Sequence, residues 1–305
     1  MPELPDVVVY IEALAPRVVG QPLLGVRLAS PFVLRSVDPP LFSAHGKKVN
    51  AIARLGKRIV LALEEELFLL VHLMIAGRLR WREPSAKIPR KLGLAAFDFP
   101  TGTLLLTEAS TKKRAALYLI RGENALRDHD PGGLEVLAAD FGSFREVLGR
   151  ENHTLKRALT DPRLFSGIGN AYSDEILHRA RLSPIKQTRQ LSDEECARLF
   201  HATRAVLQEW IERLRRETGA GFPEKVTAFR PGMAVHGRYR KPCPDCGALV
   251  QRIVYAENET NYCARCQTGG RLLADRALSR LLHEDWPKTL EELEEIRPPV
   301  KPNRT

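Results

Sequence analysis

Cys243-Pro244-Asp245-Cys246 is followed, after sixteen residues, by Cys263-Ala264-Arg265-Cys266. Two Cys-x2-Cys pairs at that separation have the spacing of a four-thiolate zinc site. In a reducing compartment thiolate ligation outweighs disulfide formation. Four protein ligands leave no open coordination position, so the spacing predicts a structural metal rather than a catalytic one. Between the pairs, Val250-Gln251-Arg252-Ile253-Val254 and the approach Asn261-Tyr262 read as the strands of a β-hairpin. The basic and aromatic run Gly237-Arg238-Tyr239-Arg240-Lys241 flanks it, as a zinc ribbon facing nucleic acid requires.

The chain leading up to this module is long enough for more. Its 305 residues, 44% of them hydrophobic, suit two domains plus a small module. The formal net charge is +10, spread along the chain, and favours a polyanionic partner. No apolar run approaches the roughly 20 residues that span a bilayer. The N-terminus also lacks the basic-then-apolar layout of a signal peptide, so the expectation is a soluble, cytoplasmic protein with no membrane partner.

Working back from the cysteines, helical periodicity covers 139–149, 151–160, 170–180 and a long amphipathic run from Ser192 to Thr218. Ser192 and Glu195 fit a capping box for the last of these, and Cys196 reads as a buried small side chain. Between two helices lies Leu164-Phe165-Ser166-Gly167-Ile168-Gly169-Asn170-Ala171-Tyr172. Gly167 and Gly169, followed by Asn170 at a helix start, offer backbone N–H groups and a dipole end to a phosphate. A tight interhelical turn that needs glycine is the competing reading. Residues 122–133 are polar and rich in Gly, Asp and Arg, which predicts a linker. Upstream, 23–35, 49–66, 67–81 and 92–110 are extended runs, with Pro100-Thr101-Gly102 marking a hairpin and 82–91 a basic loop; several strands at this spacing predict a β-sandwich. Residues 5–19 read as a helix that Gly20 stops.

That helix is preceded by Met1-Pro2-Glu3. Removal of Met1 would expose a secondary amine on Pro2. An α-amino group titrates near pH 8, so a fraction is neutral and nucleophilic at physiological pH. Condensed with a sugar aldehyde carbon it gives a cationic iminium, an electron sink, and Glu3 is placed to move protons. A proline and an acid in a first helical turn also have a purely structural use.

In combination these motifs resemble the formamidopyrimidine-DNA glycosylase and endonuclease VIII family. The resemblance rests on the Pro2-Glu3-Leu4-Pro5-Asp6 start, the Gly56-Lys57 hairpin, His72-Leu73, Gly167-Ile168-Gly169-Asn170, Gly237-Arg238 and the four-cysteine finger ending Cys266-Gln267. It implies an α+β multidomain fold: an N-terminal β-sandwich catalytic domain (1–121), a linker (122–134), a helix-two-turn-helix DNA-binding domain (135–235), a structural-zinc finger (236–270) and a C-terminal extension (271–305). It further implies a bifunctional DNA glycosylase and AP lyase of base excision repair, working as a monomer on double-stranded DNA that carries a damaged base or an abasic site. Its setting would be bacterial, cytoplasmic and nucleoid-associated. By match to the family's motifs, Pro2 would attack C1′, Glu3 would act as general acid and base, and Lys57 and Asn170 would bind phosphate.

The chain also departs from the family pattern. Asp6 and Val8 replace two later glutamates of the usual start. The first loop reads His72-Leu73-Met74-Ile75-Ala76-Gly77, so Met74 or Ile75 would be the wedge that fills the gap left by a flipped base. The later loop, Glu108 to Arg114, offers no aromatic partner. Asn258 stands between two acids where an arginine is common, which weakens the phosphate grip, and Arg252 is the candidate to compensate. The stretch from Gly219 to Met233 is short for a base-capping loop. These departures leave room for alkylated bases or interstrand crosslinks as substrates, or for a non-catalytic damaged-DNA binder. Beyond the finger, Arg271 to Leu282 has helical spacing, and the charged, Pro-rich stretch from Glu291 to Thr305 predicts a disordered tail.

Overall fold

Alternation decides where each strand faces. In Arg58–Leu63 (β3) and Leu67–His72 (β4), Ile59, Leu61, Leu63, Leu67, Leu69 and Val71 enter one core, while Val60 and Leu70 point to the opposite face. The same period-two pattern runs through Gly93–Phe99 (β6) and Gly102–Glu108 (β7), where Phe97, Phe99, Leu104 and Leu106 point inward. With Gly25–Leu28 (β1), Val49–Leu55 (β2), Gly77–Arg82 (β5) and Ala116–Arg121 (β8), these form two antiparallel four-stranded sheets. Their orders are β1-β6-β7-β5 and β2-β3-β4-β8, the expected sandwich. The run 67–81 is not one strand: it breaks at 73–76 and sends β4 and β5 to different sheets. Strand β8 was not legible in the sequence.

The computed structural model describes residues 1–255, 258–274 and 287–296. Its contacts divide the chain into two compact units, one of 1–139, 161–168 and 207–228, the other of 140–160, 169–206 and 229–305. In the first unit the helix Leu4–Val18 (α1) adds Val7, Tyr10, Leu14 and Val18 to the sandwich core. The stretch read as a linker holds a short helix, Glu123–Arg127 (α2), whose Ala125 and Leu126 cover Val60, Leu70 and Ile120 on the outer sheet face.

The second unit contains Phe141–Gly149 (α3), Leu155–Thr160 (α4), Asn170–Arg179 (α5) and the start of Asp193–Thr218 (α6). The capping box forms as expected: the Ser192 N–H donates to Glu195 at 2.9 Å and the Glu195 N–H to Ser192 Oγ at 3.2 Å. Gln251–Tyr255 (β9) and Asn258–Tyr262 (β10) make the finger hairpin, followed by Ala264–Thr268 (α7). The chain beyond the finger completes the finger's own core. Leu272, Leu273 and Leu290 pack with Val235, Val250 and Tyr262, and the Leu273 N–H donates to the Tyr262 hydroxyl at 2.8 Å. The disordered tail needs correction at its start, because Leu290–Ile296 is a helix (α8) anchored by Leu290. Most of the helix expected over 271–282 lies outside the described residues, and 271–274 are not helical.

Buried Glu175 ties this unit together. Its carboxylate accepts the backbone N–H groups of Ala234, Val235 and His236 at 2.7, 2.9 and 2.9 Å. Glu175→Ala leaves these donors unsatisfied and is expected to cost about 3 kcal/mol, with a smaller loss for Glu175→Gln, as read by urea denaturation.

Candidate functional site: the N-terminal pocket and the zinc-braced helix

Pro2 and Glu3 are buried at the start of α1, Glu3 to 2% exposure. The helix begins here because Asp6, three residues on, accepts the Glu3 N–H at 2.9 Å, a local cap that the sequence presented only as a departure. The Leu4 N–H donates to the Gly167 carbonyl at 2.9 Å. Gly167 has φ +79°, and a Cβ there would lie 2.8 Å from Leu4 Cβ, so glycine is required both by backbone angle and by close approach. Its carbonyl thus anchors the chain start.

In the full chain Met1 precedes Pro2, so the Pro2 nitrogen is an amide until Met1 is cleaved. Burial pushes the Met1 amine below its ordinary value of 8.0; Glu3 opposes this, Arg78 supports it, Asp6 opposes it and Lys57 supports it. Pro2 lies one residue further in. Lys57 sits at the tip of the β2–β3 hairpin, where Leu55 pairs with Arg58 and Gly56 takes φ +61°, the angle a II′ turn reserves for glycine. At the end of β4, burial pushes His72 down to about 4, with Arg58 and Lys57 adding to the effect. His72 is therefore neutral at physiological pH and offers a phosphate no charge. In the loop that follows, Met74 has φ +51° and Ile75 is 52% exposed.

In the other unit, α5 presents one face to the finger. Asn170, Asp174 and His178 stand four residues apart, hence on one stripe of the helix. Asn170 Nδ2 donates to the Glu259 carbonyl at 2.8 Å, Asp174 accepts the Asn261 N–H at 3.1 Å, and His178 Nε2 lies 3.3 Å from Cys243 Sγ. Asp174 is fully buried and is compensated by Lys156 Nζ at 2.5 Å and His236 Nδ1 at 2.8 Å. Lys156 also donates to the Asn170 carbonyl at 2.7 Å, which places a cation at the first turn of α5. Gly169 is the N-cap residue, and its carbonyl accepts the Ser173 N–H at 3.1 Å. Arg252 lies 4.3 Å over the Tyr239 ring and pairs with Glu259 at 3.1 Å, so part of its charge is already matched. The Asn258 side chain lies outside the described residues.

Cys243, Cys246, Cys263 and Cys266 bring their sulfurs within 4.8 Å of one another. A tetrahedron with Zn–S near 2.3 Å requires sulfur separations of about 3.8 Å. The Cys243–Cys266 and Cys246–Cys263 pairs stand at 3.9 and 3.4 Å, which fits. These four residues hold the structural zinc, and His178 supports the Cys243 thiolate.

Pro2, Glu3, Lys57, His72, Met74, Ile75 and Gly167 therefore belong to one unit, and Gly169, Asn170, Arg252 and the cysteines to the other. Sequence reasoning missed Asp6, Arg78, Lys156, Asp174, Glu175 and His178. The four-residue spacing from Asn170 was the available signal for Asp174 and His178. Arg78 and Lys156 had none, because backbone carbonyls (Ile75, Gly77 and Val226 for Arg78) and, for Lys156, Asp174 eighteen residues on leave no mark in the local pattern.

Three family models match in the same order. The formamidopyrimidine-DNA glycosylase N-terminal domain covers 1–114, the formamidopyrimidine-DNA glycosylase H2TH domain 133–220, and the zinc finger found in FPG and IleRS 240–269. The formamidopyrimidine-DNA glycosylase of Heliobacterium modesticaldum is 34% identical over 280 residues, covering 88% of this chain and all of the relative. Lactococcus lactis Fpg, solved in complex with DNA containing an abasic site, superposes with a TM-score of 0.76 at 26% identity, covering 87% of this chain and 99% of that one. The MutM (Fpg) protein of Thermus thermophilus gives 0.73 at 32% identity, over 87% and 98%. Among the described residues no helix is long and apolar enough to cross a membrane. With a relative matched at this identity over its whole length, the chain belongs to the formamidopyrimidine-DNA glycosylase family.

Proposed function

We propose that the chain is a bifunctional DNA glycosylase and AP lyase of base excision repair, with Pro2 as nucleophile once Met1 is cleaved and Glu3 as its proton carrier. The observation that carries this reading is the buried, anchored chain start, where the Gly167 carbonyl holds the Leu4 N–H and Glu3 is 2% exposed. Burial disfavours the ammonium form, so the buried chain start favours a neutral secondary amine at Pro2. That amine attacks C1′ of a flipped-out nucleotide, the glycosidic bond breaks, and the base departs with the electron pair and a proton. Glu3 delivers a proton to the ring oxygen as the sugar opens, leaving an iminium between Pro2 and C1′. The iminium acidifies C2′; loss of that proton expels the 3′ phosphate, and water then releases the amine.

Lys57, carried on a two-residue turn, is assigned to the phosphate beside the lesion. Asn170 and the first-turn amides of α5 are assigned to a second phosphate. Ile75, the more exposed of the two wedge candidates, is assigned to the gap in the duplex. The partner is duplex DNA with a damaged base or abasic site. A monomer acting in the cytoplasm, with the sandwich over 1–121, the helix-two-turn-helix over 135–235 and the finger over 236–270 as its working parts, completes the proposal.

Borohydride reduces only an iminium, so trapping on an abasic duplex reads the nucleophile directly. Pro2→Gly is expected to reduce trapping sharply, and Glu3→Gln to slow base excision about 100-fold; full trapping by a chain shown by mass spectrometry to retain Met1 would remove Pro2 from its role. Because burial disfavours an ammonium at this chain start, trapping should rise with pH through a midpoint set by the Pro2 amine. Lys57→Met, which removes one depressing charge, should move that midpoint upward at saturating DNA. Chelation of the zinc is expected to abolish duplex binding while leaving the circular dichroism of the sandwich in place.

A further inference from the structure

The chain leaving α6 forms an irregular strap, 220–228, with no helix or strand of its own. Arginines from the sandwich unit hold it down. Arg17 on α1 donates to the Ala220 and Gly221 carbonyls at 3.2 and 3.1 Å. Arg82 on β5 makes a two-pronged pair with Glu224 at 2.6 and 3.1 Å. Arg78, also on β5, donates Nε to the Val226 carbonyl. Between these clasps Phe222 packs against Tyr10, with ring centroids 5.7 Å apart, and Val226 enters the sandwich core. Lys225 remains exposed.

Arg78 grips a second segment as well. Its Nη1 donates to the carbonyls of Gly77 at 2.7 Å and Ile75 at 3.3 Å, in the loop between β4 and β5. A guanidinium is a rigid fork, so one side chain sets the spacing of strap and loop. We propose that Arg78 is a positioning residue of the repair reaction, joining strap 220–228 to loop 73–77 as a preset wall beside the N-terminal amine. This rests on Pro2 as nucleophile. A wall fixed in advance selects damaged bases by shape instead of closing over them. The charged groups that act on the amine are Glu3 and Asp6 from the start of α1, Lys57 from the β2–β3 turn, and Arg78 itself.

Two variants of the full chain separate grip from charge. Arg78→Lys keeps the charge but, as a point donor on a flexible stem, cannot bridge both segments; Arg78→Met loses both. Tryptic cleavage after Lys225 is expected to quicken about tenfold in each, the effect of one lost charge-assisted hydrogen bond on local opening. Base excision should fall in both, while the pH midpoint of borohydride trapping rises only in Arg78→Met. Cleavage after Lys225 at the unaltered rate in both variants, or faster cleavage with excision and the trapping profile unchanged, overturns the assignment. Binding to undamaged duplex reports folding, and Arg78→Lys carries the test if Arg78→Met does not fold. If Pro2→Gly traps at the full rate, the nucleophile reading falls and takes the role at the amine with it, and strap cleavage after Lys225 separately reports whether Arg78 clasps the strap.

Discussion

The hydrogen bond from the Leu4 N–H to the Gly167 carbonyl solves the hardest physical problem in this molecule. The nucleophile proposed above is the chain's own end, and chain ends fray unless something ties them down. Here α1 fixes direction by burying Leu4, Val7, Tyr10 and Leu14, and Gly167 fixes position. Asp6 caps the helix so that Glu3 is held at its mouth. Every catalytic assignment in the sandwich unit depends on this tether, since a terminus free to wander would hold neither Pro2 nor Glu3 at one place.

The electrostatics of the pocket are balanced between opposing groups. At the Met1 amine, Glu3 and Asp6 favour the protonated form, while burial, Arg78 and Lys57 favour the neutral one. Burial is the largest of these influences. The same reasoning separates Lys57 from His72. Lys57 acts on the Met1 amine as a cation, whereas burial keeps the His72 imidazole neutral, with its pKa at about 4.

Much of the architecture could be read from sequence because local rules governed it. Period-two alternation, the Ser192–Glu195 capping box, the Gly56-Lys57 turn and the Cys-x2-Cys pairs each encode their geometry within a few residues. What escaped was set by distant partners. The stretch 67–81 looked like one strand because nothing in its composition marks the switch of sheets after His72. Residues 123–127 looked like linker because their apolar side chains, Ala125 and Leu126, are few and find their partners on the outer sheet face. Gly167 and Gly169 read either as an anion-binding motif or as a tight interhelical turn; the structure has Gly167, at positive φ, serving the chain start and Gly169 capping α5. Arg78 carried no signal at all, as carbonyls of Ile75, Gly77 and Val226 define its role.

Helix α5 joins two tasks that are usually assigned to separate parts. Its opening turn is the phosphate site proposed above, and the stripe Asn170, Asp174, His178 is fastened to the metal module down to a ligand sulfur. The ion consequently works at a distance. The hairpin that the cysteines brace also accepts the Asn170 side chain at the Glu259 carbonyl, so oxidation of a single cysteine would loosen Asn170 as well as the finger.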